Sequence, residues 1–259
     1  NSDTLTIYSG TNIDVLGAFT QDGDGDVSLG ANITTGDDNI SFNSAVDLTG
    51  NVQLSTGAGT AGDITFSSTL DDTGSDNTIT MIAGTGTIDM TDDVGVSNAL
   101  GAFTVSSASQ VDLMDVITSG AMAVTADNID LNDATYTSNN DALTFTGAVD
   151  LDLTAGTTTI TGGAGAGDDI TFTSTINDDA ANDTDLTLVG GTGGQIDLQG
   201  NVGSSQAVDE FTISISAHVS ALDVSATHID ITGTNADSNV DVDDLTVDNH
   251  ILITTGQDI

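Results

Sequence analysis

The chain has 259 residues, a formal charge of −40 at neutral pH, and no Lys, Arg, Pro, Cys or Trp. Its 40 acidic residues are 39 Asp and the single Glu210. With no cationic side chain to grip a phosphate or a carboxylate, the composition speaks against nucleic acid, anionic membrane and acidic substrates as partners, and all neutralisation must come from outside cations.

The acidity does not read as disorder. Hydrophobic residues make up 37% of the chain and mean hydropathy is +0.06, whereas an acidic tail is poor in aliphatics. Asp, Gly, Asn and Thr favour short strands and turns, and no segment carries a 3.6-residue apolar period or the length of a membrane span. The lack of Cys fits a large extracellular protein stabilised by a long stacked core. The absence of an initiating Met and of a signal-like segment leads us to expect a piece of something longer, ending in the strand-like stretch Ile251–Thr255.

Taken in chain order, residues 1–37 read as the tail of one repeat copy, 38–140 as a first full copy, 141–242 as a second, and 243–259 as the start of a third. GAFTQDGDGDVSLGANITTG (17–36) lies without gaps over GAFTVSSASQVDLMDVITSG (101–120). GDITFSSTLDD (62–72) matches DDITFTSTIND (168–178), and AFTVSSASQVDLMDV (102–116) matches EFTISISAHVSALDV (210–224). Repetition on this scale points to a solenoid or an array.

Within each copy two three-residue strand cores recur. One is apolar-Thr/Ser-apolar, as in Leu5-Thr6-Ile7, Ile64-Thr65-Phe66, Phe103-Thr104-Val105, Ile170-Thr171-Phe172 and Phe211-Thr212-Ile213. The other is apolar-Asp-apolar, centred on Asp14, Asp47, Asp89, Asp112, Asp130, Asp150, Asp197, Asp223, Asp230 and Asp241. Alternation puts the apolar flanks inward and the central Thr or Asp outward. The expected fold is all-β, a right-handed parallel β-helix (β-solenoid) of about 12 coils at roughly 21 residues each, a rod roughly 55–60 Å long. Six Phe fall in matched pairs (Phe42/Phe145, Phe66/Phe172, Phe103/Phe211) and read as inward plugs recurring once per copy. An array of β-sandwich domains is the rival, ranked second because the pattern runs through the repeat boundary unbroken.

Residues 62–105 and 168–213, with DDITFTST (168–175), LTLVGGTGGQIDLQGNVG (186–203) and FTISI (211–215), resemble the repeats of giant bacterial surface proteins. The nearest group is the filamentous-haemagglutinin-like adhesins of two-partner secretion. The resemblance implies a secreted, cell-surface passenger whose coils extend from the cell and adhere to hosts, surfaces or one another.

Candidate metal ligands come from acidic clusters. Gln21-Asp22-Gly23-Asp24-Gly25-Asp26 resembles the start of a Ca²⁺ loop, without the Glu that closes an EF-hand. Asp71-Asp72 with Asp76, Asp92-Asp93, Asp178-Asp179 with Asp183 and Asp185, and Asp241 with Asp243-Asp244 are further candidates; each taken singly also reads as a solvated turn. Across the chain, outward carboxylates stacked ~4.8 Å apart would repel by about 0.9 kcal/mol per neighbour even in water, which favours bound Ca²⁺ or high salt.

Catalysis finds little support. With 39 Asp some pair always suits glycoside hydrolysis, so spacing there has no specificity. His218, His228 and His250 lack the spacings of a zinc site, and no nucleophile elbow stands out. The expectation is a non-enzymatic structural and adhesive segment of a giant secreted surface protein or extracellular filament. Its partners would be other copies or neighbouring repeats end to end, and surface polysaccharide. A polysaccharide-active β-helix enzyme and an ice-binding solenoid built on the Thr rows are the alternatives.

Overall fold

A computed structural model of the chain describes residues 3–57, 59, 62–179, 183–214, 217–232 and 239–254. Thr255, part of the strand expected at the end of the chain, lies outside the described residues. Every regular element among the described residues is a β-strand, and no helix is long and apolar enough to cross a membrane. The chain forms two compact units, residues 1–129 and 130–259, and each is a parallel β-solenoid.

In the first unit a coil contributes three short strands, each paired in parallel with its counterpart one coil later. One column runs Leu5–Ile7, Val27–Leu29, Val46–Leu48, Leu70–Asp72. A second runs Ile13–Asp14, Ile33–Thr34, Val52–Ser55, Thr78–Ile82, Ala102–Ser107. The third runs Phe19–Gln21, Ile40–Phe42, Ile64–Phe66, Thr87–Met90, Gln110–Leu113. The second unit repeats the plan. There the strand Leu143–Leu151 serves two columns, pairing with Ile170–Phe172 and with Ile176–Asp178. Gly156–Thr161 pairs with Thr184–Val189, which pairs with Val208–Ser214.

The alternating pattern works as expected in most coils. Ile40, Phe42, Ile64, Phe66, Leu143, Phe145, Ile170 and Phe172 are all at most 1% exposed, while Ser41, Thr65, Thr144 and Thr171 between them are only half-buried. Each such side chain adds about 2–3 kcal/mol of burial, so the stack rather than any single coil is the stable object. Several of the Phe plugs touch one another, whereas Phe103 and Phe211 stack between Ile, Leu or Met. Phe42 stacks on Phe66 at 5.0 Å and meets Phe19 at 5.5 Å, and Phe145 stacks on Phe172 at 4.9 Å, so adjoining coils share these aromatic layers. Tyr136, also wholly buried, was missed as core because its Thr neighbours hide it in an apolar-poor stretch.

Three details depart from expectation. The coil is not a constant 21 residues: Phe211 pairs with Ile229, 18 residues on, whereas Leu143 pairs with Ile170, 27 residues on. Loops at the corners absorb the difference, since loop-closure entropy changes little with a few residues while strand register is fixed by the core. Leu222, expected inward beside Asp223, is 39% exposed; Ala221 and Val224 face the core instead, and the chain turns a corner between them. Leu5 and Val15 are likewise exposed, at 40% and 38%.

The first column thins as it rises. At Val94 and Val202 the strand shrinks to single bridges, Val94 to Leu70 and Val116, Val202 to Ile176 and Val224. A left-handed glycine follows each, Gly95 and Gly203, both at φ 70°. An added Cβ would lie 2.1 Å from the Ile117 carbonyl oxygen in one unit and 2.1 Å from that of Ser225 in the other. Glycine is required at both corners by conformation and by space.

Candidate functional site

The first column is where the pattern of inward apolar residues is broken. In Leu70–Asp72 the third residue should face the core, and it does: Asp72 pairs with Leu48 of the coil below and is 1% exposed. In Ile176–Asp178, Asp178 pairs with Leu151 and is also 1% exposed. Both aspartates were expected in solvated corners. The signal that places them inward was present, since Leu70-Asp71-Asp72 lies over Val46-Asp47-Leu48, but the corner residues that follow masked it.

A buried carboxylate must be fully hydrogen-bonded or matched by a cation. Asp72 is satisfied by its own loop. Its Oδ2 accepts from the backbone N–H of Gly74 (3.0 Å) and Ser75 (2.7 Å), and its Oδ1 from the Asn77 side-chain amide at 2.6 Å. The same amide donates to the Leu48 carbonyl at 3.1 Å, which anchors it on the coil below. Burial pushes the Asp72 carboxyl up, but the Asn77 amide and the N–H groups of Ser75, Thr73 and Asn77 outweigh it, so the group titrates below its ordinary value.

Asp178 has half of this arrangement. Its Oδ2 accepts from the N–H of Asp183 (3.0 Å) and Thr184 (3.3 Å). Its Oδ1 is buried with no hydrogen-bond partner among the described residues, and so is Oδ1 of Asp183. Thr184 occupies the place of Asn77, but its one hydroxyl hydrogen goes to the Leu153 carbonyl at 2.6 Å. Carboxylate oxygens of Asp178, Asp179 and Asp183 all lie within 4.8 Å of one another. Burial first, and the Asp183 charge in addition, push the Asp178 carboxyl up against the N–H groups of Asp183 and Thr184 and the nearby Thr184 hydroxyl, and the net direction is upward.

Apart from Asp93, the other expected ligands do not converge in this way. The loop of Asp22, Asp24 and Asp26 closes around the Gln21 side chain, whose amide donates to the carbonyls of Gly23 (2.8 Å) and Gly25 (3.3 Å). An amide thus fills the position a cation would take, and all three aspartates are exposed. Asp71 accepts from the N–H of Ser97 and Asn98 at 2.9 and 3.2 Å, the role Asn177 plays toward Ser205 in the second unit. Asp76 is exposed and accepts from Ser119 Oγ at 2.8 Å. Asp92 caps the N–H of Asp93 at 2.9 Å, while the Asp93 carboxylate comes within 4.8 Å of that of Asp115, a neighbour sequence reasoning did not provide. Asp185 accepts from Thr157 Oγ1 and from the Glu210 N–H. Asp241, Asp243 and Asp244 point outward from the strand Asn239–Thr254 and are exposed.

Outward Asp positions stack on one another at several places. Asp47 stands over Asp71, Asp89 over Asp112 and Asp223 over Asp244. In other places the neighbour is a neutral polar residue, as in Ser28 over Asp47, Thr65 over Asp89, Asp150 over Asn177 and Thr171 over Asp197. Where a neutral residue intervenes, the repulsion that stacking would otherwise impose is relieved. Where two carboxylates do stack, the effect is visible: Asp47 and Asp89 titrate above their ordinary value, through partial burial first and the facing carboxylates, Asp71 and Asp112, next.

A shallow groove of about 280 Å³ in the second unit is lined by Asp169, Asp197, Gln195, His218 and Ser220, among others. Its carboxylates are engaged locally, Asp169 with the Gln195 N–H at 2.9 Å and Asp197 with Gln199 Nε2 at 2.8 Å. Register also aligns Glu210, His228 and His250 on successive strands, although their sequence spacing gave no hint of it. The chain matches no protein-family model, no curated protein and no solved structure.

Proposed function

We propose that this chain is a structural and adhesive repeat segment of a giant secreted bacterial surface protein or extracellular filament, neutralised by Ca²⁺ or high salt. The observation that carries the reading is the parallel stacking in each unit, with its outward rows of Asp, Thr and Ser and no basic residue anywhere in the sequence. Such a surface suits projection into water, and hydroxyl-rich rows offer hydrogen bonds to surface polysaccharide. A parallel coil presents unpaired N–H and C=O groups on its flat ends, which favours other copies or neighbouring repeats as end-to-end partners. The resemblance to filamentous-haemagglutinin-like repeats supports the same reading and the cell-surface location.

Electron microscopy of the native material, with and without a chelator, tests it. Extended filaments that shorten or loosen in chelator are expected. Compact particles unchanged by chelator and by salt would remove the support for a spanning role.

A further inference from the structure

We propose that Asp178, Asp179 and Asp183 form a cation site, in which a Ca²⁺ ion takes the place that the Asn77 amide holds beside Asp72 in the first unit. The inference deepens the cation part of the function proposed above and rests on it only there.

Two independent observations carry it. The first is geometric: carboxylate oxygens from three residues come within 4.8 Å of one another. An ion bound at 2.3–2.6 Å to two oxygens allows them to stand at most roughly 5 Å apart, so the cluster is within the grasp of Ca²⁺ as it stands. The second is an unmet requirement. Asp178 is 1% exposed and faces the core above Leu151, yet its Oδ1 has no partner among the described residues, and the buried Oδ1 of Asp183 shares the defect. A fully buried carboxylate oxygen left bare is costly. The matched site shows what completes it. There a nitrogen donor sits 2.6 Å from the equivalent oxygen, and in the second unit Thr184 stands at that position with its hydrogen already given to Leu153. A third carboxylate, Asp183, arrives instead of a donor. Three oxygens of hard, anionic character select an oxygen-loving divalent ion over a soft or nitrogen-loving one.

The test uses the full chain and Ca²⁺ alone, with melting followed in chelator and in millimolar CaCl₂ at pH 7. The wild type should gain several degrees on adding Ca²⁺, as mass action on the folded state requires. Asp183→Asn should be more stable than wild type in chelator, because its amide can serve Asp178 as Asn77 serves Asp72, and should lose most of the Ca²⁺ gain. Asp76→Asn, which neutralises an exposed aspartate of the matched loop in the first unit, should keep that gain. Asn182→Ala removes the side-chain amide of the same segment and should leave the Ca²⁺ gain intact. If Asn182→Ala is strongly destabilised in chelator and the wild type shows no gain, that amide is the missing donor and the proposal is overturned. If Ca²⁺ does nothing to the wild type but lowering the pH stabilises it and Asp183→Asn mimics the effect, a proton shared between Asp178 and Asp183 fills the site, and the proposal is equally overturned. Crystals soaked in Tb³⁺ give a readout that needs no variant: an anomalous peak within about 3 Å of Asp178 Oδ1 is expected, and its absence refutes the site. Any of these failures leaves the microscopy of filaments untouched, so the two readings fall separately.

Discussion

The loops after Leu70–Asp72 and after Ile176–Asp178 do the same job with different chemistry. Each follows a strand whose third residue is an aspartate aimed into the core over a leucine. In the first unit the loop returns an amide, and Asp72 is held ionised and fully bonded. In the second the loop returns another carboxylate, and Asp178 Oδ1 has no partner among the described residues. In a protein with no Lys or Arg, a buried carboxylate is served by N–H donors such as a side-chain amide, by an outside ion or by a proton. Gln21, folded into the carbonyls of Gly23 and Gly25, is a second instance of the amide solution.

The largest effect that can break this comparison is expected at Asn77. Asn77→Ala removes the donor to Asp72 and to the Leu48 carbonyl together, leaving a buried charge half-bonded as Asp178 is. A loss of about 3 kcal/mol is expected by denaturant unfolding. If the variant also acquires a Ca²⁺-dependent gain in melting temperature, the two loops are interchangeable. A loss under 1 kcal/mol would mean water reaches Asp72 and that the amide matters little.

The corner glycines test whether the units share a scaffold beneath their different loops. Gly95→Ala and Gly203→Ala each place a Cβ against a carbonyl oxygen at left-handed φ. Each should cost about 2 kcal/mol or more, and the two losses should be similar. Unequal losses would show that the corners, like the loops, have diverged.

pH separates the satisfied carboxylate from the stacked ones. The Asp72 pKa is lowered on folding, so its stabilisation is present above the ordinary value of 3.8 and is lost as pH falls through the lower folded value. Asp47 and Asp89 are raised, so their contribution has the opposite sign: it is present below 3.8 and disappears as pH rises from there through the raised folded values. Asp72→Asn should therefore flatten the acid limb of a plot of melting temperature against pH, below 3.8. Asp47→Asn and Asp89→Asn should instead remove the decline above it.

The smallest effect is the neutral-pH gain from relieving an outward pair. Asp47→Asn or Asp89→Asn should stabilise by roughly 0.2–0.5 kcal/mol at low salt, as exposed charge pairs do, and the gain should vanish in high NaCl. A gain that persists in salt would mean these carboxylates are more deeply desolvated than their partial exposure indicates.

The sequence by itself determined the strand class, the parallel stacking and most of the core, because alternation with period two is written locally in segments such as Ile64-Thr65-Phe66 and Ile170-Thr171-Phe172. Composition alone ruled out ion pairs to Lys or Arg, since neither is encoded. Tertiary structure decided what depends on which residue lands above which. Register put Phe42 on Phe66, broke the Asp rows with Thr and Ser, and set Glu210, His228 and His250 in one line. It also turned Leu222 out and Asp72 and Asp178 in. Corner lengths vary from coil to coil, so the partner one coil away cannot be counted off along the chain. The chemistry of each acidic loop follows from that partner and from what the fold brings to the buried oxygen, Asn77 in the first unit and no donor among the described residues in the second.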